Sequence, residues 1–155
     1  MKNPFHRKPD VVIGDPARPY LLRWHLITRN PLLNVYLHNM LRDDDDRAMH
    51  DHPWVSVSLT LKGQYIEHIQ GKFPRYRKCG DIVFRRAKHT HRIALHPIYP
   101  HAPYIREIPR IPAWTLFITG PKIRGWGFHC PQGWIPWEKF TDPKNPGATG
   151  KGCDQ

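Results

Sequence analysis

Apolar and polar residues alternate along short stretches of the chain. Residues 21–28 (LLRWHLIT), 55–61 (VSVSLTL), 64–69 (QYIEHI), 81–85 (DIVFR), 92–95 (RIAL) and 114–119 (WTLFIT) each read as a strand, because successive side chains of an extended backbone point to opposite faces. Residues 34–41 (NVYLHNML) fit a strand and, by their apolar spacing, also a short helix. Gly63, Gly71, Gly80 and Gly120 fall between these runs. Short strands broken by glycine turns are the pattern of an antiparallel sandwich or barrel.

The 155 residues make one domain, and the 17 prolines, about twice average usage, disfavour long helices. A Pro-rich basic arm over 1–20, a barrel over 21–142 and a surface tail over 143–155 are the expected divisions. Residues 96–112 form a long loop within the barrel, and the tail beyond 121 packs on its outside. Residues 43–46 (DDDD) read as a solvated polar loop, since adjacent carboxylates repel. No run approaches the ~18 apolar residues of a membrane span, and residues 1–15 lack the apolar core of a secretory signal. A cytoplasmic protein without membrane contact is the expectation. Cys79, Cys130 and Cys153 are odd in number and far apart, so reduced thiols are expected in place of a disulfide framework.

Two histidine pairs carry candidate chemistry. His50 and His52 stand in MHDHPW, just ahead of the strand at 55–61. Residues two apart on an extended chain face the same way, so both imidazoles can reach one ion. His89 and His91 form a second pair in GDIVFRRAKHTHRI. A small antiparallel barrel sets such segments side by side, converging three or four imidazoles on its interior. Imidazole binds Zn, Fe, Ni, Cu or Mn, and three protein ligands leave positions open for substrate.

The run HDHPW, LKG, IQG and GDIVFRRAKHTH within residues 48–95 resembles the two-motif pattern of the cupin superfamily. That pattern is an HxH, a glycine turn, a second turn, then GD and a last histidine. The resemblance implies an all-β fold: an antiparallel cupin-like β-barrel, or double-stranded β-helix (jelly roll). It implies a divalent transition metal ion (Fe, Mn, Ni or Zn) inside, held at His50, His52 and His91, and a homodimer formed by strand exchange or sheet packing. The segments DRAMHDHPW, LKGQYIE and TLFITGPKIRGWGF are also similar to small bacterial and phage-type cupin-like proteins, a likeness that implies no reaction.

Two positions depart from the cupin pattern. Where a glutamate ligand follows the second histidine, this chain has Ser56, Val57 and Ser58. Glu67, on the next strand, is the nearest acid, and from an inward position it supplies a carboxylate ligand or a proton acceptor, which makes it the candidate catalytic residue. The proline of the second motif is replaced by Arg86, which with Arg85 places two guanidinium groups near the barrel, able to grip a carboxylate or phosphate. His89 shares strand parity with His91 and either ligates or lines the pocket. His38, His68, His96 and His129 read as packed or surface side chains, and Cys130 beside His129 lacks the orienting group of a nucleophilic pair.

A small metalloenzyme of oxygenase, isomerase or lyase type, acting on a small and possibly anionic substrate, is the leading functional expectation. A non-catalytic metal or ligand-binding module is the alternative. The net charge of +11 raises a third, a basic nucleic-acid-associated protein, but the cations are dispersed and no base-reading motif accompanies them, so only weak non-specific binding is expected.

Overall fold

The computed structural model describes residues 6–44, 48–97, 110–144 and 148–154. Among these the chain forms β1 (Val11–Asp15), β2 (Arg18–His25), β3 (Asn34–Met40), β4 (Met49–His50), β5 (Ser56–Lys62) and β6 (Gln64–Ile69). There follow β7 (Arg75–Lys78), β8 (Ile82–Arg85), β9 (His91–Leu95), β10 (Ala113–Thr119), β11 (Gly127–Cys130), β12 (Gly133–Pro136) and the single-turn α1 (Trp137–Phe140). The strands make two antiparallel sheets, ordered β1-β2-β3-β10-β5-β8 and β12-β11-β4-β9-β6-β7. The all-β expectation holds, and residues 34–41 resolve to a strand, because β3 is paired on both sides, by β2 and β10.

The sheets close on each other unequally. At one end Leu21, Met40 and Ala113 of the first sheet meet Tyr65 and Leu95 of the second in a buried apolar cluster. Further along, the inner face of the first sheet turns polar: Ser56, Ser58 and Thr60 of β5 and Thr115 and Thr119 of β10 are all buried. The alternation in β5 therefore sends Val57 and Leu59 outward. Register places them against Phe84 and Ile82 of β8, which are 62% and 71% exposed. The single-residue turn at Gly63 has φ +77°, and a Cβ there would stand 2.5 Å from the Pro112 carbonyl oxygen, so this turn requires glycine.

Four sequence expectations change. The segment expected as an N-terminal arm supplies β1 and the start of β2, an edge hairpin of the first sheet; residues 1–5 lie outside the described residues. The tail expected outside the barrel supplies β11 and β12, which extend the second sheet through the pairing of Phe128 with His50. The acidic run is only partly a solvated loop. Asp43 and Asp44 accept the backbone N–H groups of Leu95 and Ile93 at 2.7 and 2.6 Å, docking this segment on β9, while Asp45 and Asp46 fall outside the described residues. Finally, Cys130 and Cys153 are disulfide-bonded and Cys79 alone is free. Backbone bonds from Gly150 and Gly152 to Phe140 fold the tail back, so a separation of 23 residues becomes contact. The disulfide also removes Cys130 as a nucleophile. Most of the loop at 96–112 lies outside the described residues, although its ends meet where Pro97 bridges Arg110. Among the described residues no helix is long and apolar enough to cross a membrane.

Candidate metal centre

His50 of β4 and His91 of β9 are direct cross-strand partners on the inner face of the second sheet, the position in which side chains approach most closely. His52 follows just past the end of β4. The three rings lie 5.0 to 5.2 Å apart between centroids, and one nitrogen from each falls within 4.8 Å of the others. Nε2 of His52 and Nε2 of His91 are 2.9 Å apart.

The segment is held from outside by Asp51, which no sequence pattern marks. Its carboxylate, 2% exposed, accepts the Gly127 N–H at 2.9 Å and the Trp134 indole N–H at 3.1 Å, and pairs with Arg124 at 3.0 Å. Between two outward-facing requirements the alternation does the rest: Asp51 points to β11 and β12 while His50 and His52 point in.

Glu67 of β6 is fully buried and faces the site. Oε1 accepts Arg85 Nε at 2.6 Å and lies 2.8 Å from His91 Nδ1 and 3.2 Å from His89 Nε2. Oε2 accepts Arg77 Nε at 2.7 Å. Burial pushes the Glu67 carboxyl up, but the hydrogen bonds from His89, His91 and Arg85 more than offset this and hold it well below the usual carboxylate range. An ionised carboxylate only accepts, so His91 carries its proton on Nδ1. Burial lowers the His91 pKa to about 4, against the raising effect of its bond to Glu67, and the neutral ring presents a bare Nε2. His52 is also pushed well below its ordinary value, by burial first and then by the facing His50 and His91.

Two donor groups on these residues can hold an ion: His50, His52 and His91, or Glu67, His89 and His91. The second requires Glu67 oxygens already committed to Arg77 and Arg85, whereas the first uses ring nitrogens that face one another. The all-histidine set is therefore the better fit. His89 belongs to the Glu67 cluster and lies beside the triad. Arg85 is interior, but its guanidinium is spent on Glu67, Ser58 Oγ at 2.7 Å and the Tyr65 hydroxyl at 3.3 Å. Arg86, expected near the pocket, is exposed, because the residue after Arg85 points to the opposite face.

The triad opens on a cavity of about 400 Å³. Its walls include Trp54, Phe117 and Phe128 and, opposite the histidines, Arg23 and His38. His38, expected to be a bland packed side chain, is buried there and accepts Arg23 Nε at 2.9 Å. Register supplied this pair, since Arg23 of β2 lies directly across from His38 of β3; no sequence motif links them.

Two facing antiparallel sheets with an inward histidine cluster define a double-stranded β-helix, and the chain has the cupin fold. Solved structures of that fold align with it. The DMSP lyase DddQ of Ruegeria pomeroyi is 20% identical at a TM-score of 0.53, over 78% of this chain and 57% of that one. The chain thus spans little more than half the length of that lyase. A Ralstonia eutropha protein provisionally named a mannose-6-phosphate isomerase is 18% identical at a TM-score of 0.54, over 78% of this chain and 97% of the other. The EutQ protein of Clostridium difficile is 14% identical at 0.52, over 79% and 86%. No protein-family model matches the chain, and no curated protein sequence matches it.

Proposed function

We propose that the chain is a metal-dependent enzyme of small-molecule chemistry, with one divalent transition metal ion held by His50, His52 and His91. The observation that carries this reading is the placement of His91 between Glu67 and His52. His91 Nδ1 is committed to Glu67, so its bare Nε2 faces His52 Nε2 at 2.9 Å, and two such nitrogens need a shared proton or a shared cation. A divalent ion held by His50, His52 and His91 would supply Lewis-acid polarisation of a substrate oxygen and, if redox-active, dioxygen chemistry.

The chain's own residues divide the remaining work. Glu67 orients His91 and raises its basicity toward an ion, in the manner of carboxylate partners of ligating histidines. Held ionised by two guanidinium groups, it is a positioning residue and a poor proton acceptor at neutral pH. Phe117, Phe128 and Trp54 exclude water from the cavity. Because one carboxylate faces both Arg77 and Arg85, positive charge is in excess around the site and favours an anionic substrate. Oxygenase, isomerase and lyase reactions all fit, and the solved structures of this fold named above include a lyase and a provisionally named isomerase.

At the level of assembly we take the exposed Ile82 and Phe84 face as the contact of a homodimer. Attraction of nucleic acid to the basic surface is weak, non-specific and salt-sensitive on this reading.

Metal analysis of the purified chain tests the core of it. Close to one transition metal ion per chain is expected, with His52→Ala abolishing it and His89→Ala retaining it. A wild-type chain that takes up none of Fe, Mn, Ni or Zn when offered them would sink the reading.

A further inference from the structure

Among the described residues, Arg23 is the guanidinium lining the cavity that has no carboxylate partner. Arg85, the other guanidinium of the lining, pairs with Glu67, which it shares with Arg77. Among the described residues no carboxylate comes within ion-pair distance of Arg23. Its Nε donates to His38 Nε2 at 2.9 Å, its planar group lies 4.8 Å over the Tyr36 ring, and its two terminal nitrogens have no partner among the described residues. Asp44, the carboxylate that also lines the cavity, accepts the Ile93 N–H, lies 3.9 Å from His50 Nδ1 and takes a hydrogen bond from the Tyr20 hydroxyl.

The support behind Arg23 is rigid. His38 is stacked between Tyr36, at 5.8 Å and 8°, and Phe117, at 5.1 Å and 26°. Since His38 Nε2 accepts from a guanidinium that cannot lose its proton, the ring is neutral with its hydrogen on Nδ1. A neutral acceptor fixes the Arg23 stem without cancelling its charge. Half-buried and lining the cavity, the guanidinium leaves an open pair of parallel donors, a fork that matches two oxygens of one oxyanion.

We infer that Arg23, positioned by His38, is the substrate-anchoring residue of the cavity and grips the oxyanion of a small organic acid whose other end reaches the histidine triad. Phe117 sets the path between the two ends. Its ring stacks on His38 and stands 6.5 Å from that of His52, so an apolar linker runs along one aromatic face from the guanidinium to the imidazoles. The substrate class is thus a molecule with an anionic head, carboxylate or phosphate, a short apolar body, and an oxygen-bearing group at the far end. The role of the far end rests on the metal-enzyme reading above; the anion grip does not.

Calorimetric titration of the full chain at low ionic strength, with butanoate and separately with inorganic phosphate, tests this in the wild type and in Arg23→Gln, Arg23→Lys and His52→Ala. Binding of either probe is expected to weaken at least about tenfold in Arg23→Gln, and less in Arg23→Lys, which keeps the charge and loses the fork. Metal content should be unchanged in both, and His52→Ala should bind the probe with its affinity intact. Butanoate binding assigns a carboxylate head, and phosphate binding a phosphorylated one. No binding of either probe to wild type, or binding indifferent to Arg23→Gln, overturns the inference, as does binding that His52→Ala removes and Arg23→Gln spares. Arg23-dependent binding in a chain that takes up no metal leaves the grip standing and refutes the metal-enzyme reading alone. Should the Arg23 variants not fold, phenylglyoxal labelling of wild type decides. Severalfold protection of Arg23 by the bound probe supports the assignment, and no protection refutes it.

Discussion

At the scale of single residues, Glu67 concentrates the energetics of the site. A buried carboxylate is tolerated only with its partners in place, and removing one member of such a pair costs about 3–5 kcal/mol. Glu67→Gln keeps the shape and discards the charge, leaving Arg85, 3% exposed, without a counter-ion. Urea unfolding should register a loss of that order, and ion affinity should fall about 10–100-fold; a variant as stable as wild type would contradict the pairing described. The histidines predict an acid response of definite sign. Above pH 6.5 His91 is neutral in folded and unfolded chains alike. Between 6.5 and about 4, its value in the fold, the unfolded chain binds a proton that the fold refuses. Stability therefore falls as pH falls across that window, by up to about 1.4 kcal/mol per pH unit for each such group. His52 and His38 shift in the same direction through burial. Glu67 adds a further loss on acidification below its ordinary 4.5, since its carboxyl is held lower in the fold. Metal-free protein should show a lower urea midpoint at pH 5 than at pH 7.5, and equal midpoints would mean that these rings are charged in the fold.

Elements differ in how far the sequence disclosed them. β5, β6 and β10 were legible because each is a short strand-like run between glycine or proline breaks. β7 (RYRK) was not, since it is an edge strand with no buried side chain and carries no periodic signal. β11 and β12 were hidden in a Gly- and Pro-rich run that composition assigns to loop, and their pairing depends on Gly127, where any Cβ would collide with the Ile135 carbonyl. What recruits this hairpin to the second sheet is Asp51. Asp51→Ala leaves the Gly127 N–H, the Trp134 indole and Arg124 without their acceptor; the loss at the buried Gly127 N–H is worth about 1–3 kcal/mol, and that at the more exposed Trp134 and Arg124 is smaller. Hydrogen exchange over residues 127–136 should accelerate selectively, with weakened ion binding as a second effect because His50 pairs with Phe128. Uniform exchange across both sheets would instead indicate global destabilisation.

For the molecule as a whole, the outer face of the first sheet is covered over half its width. Trp24 and Leu37 are buried there, with the Trp24 indole donating to the Arg7 carbonyl at 3.0 Å and its ring stacked on Trp114. The other half, Val57 and Leu59 beside exposed Phe84 and Ile82, is not covered by any of the described residues. Phe84→Glu should convert a dimer to a monomer in sedimentation while sparing metal content, and a wild type already monomeric at high concentration would exclude this face as the contact. Of the site, the histidine spacing pointed to the triad and proximity pointed to Glu67. Arg77, Asp51 and the pair of Arg23 with His38 carried no sequence signal, because strand register brings each to its partner, ten residues away for Arg77, fifteen for Arg23 and 76 for Asp51, and no local pattern marks such neighbours. The sharing of one carboxylate by Arg77 and Arg85 also separates two responses that a simpler pocket would merge. Guanidinium charge persists at every pH a protein survives, whereas imidazoles surrender their lone pairs on acidification. On the metal-enzyme reading, acid strong enough to protonate His91, near pH 4 and below, should therefore release the cation while the guanidinium pull on anions endures, so that capture of an anion outlasts the means to transform it.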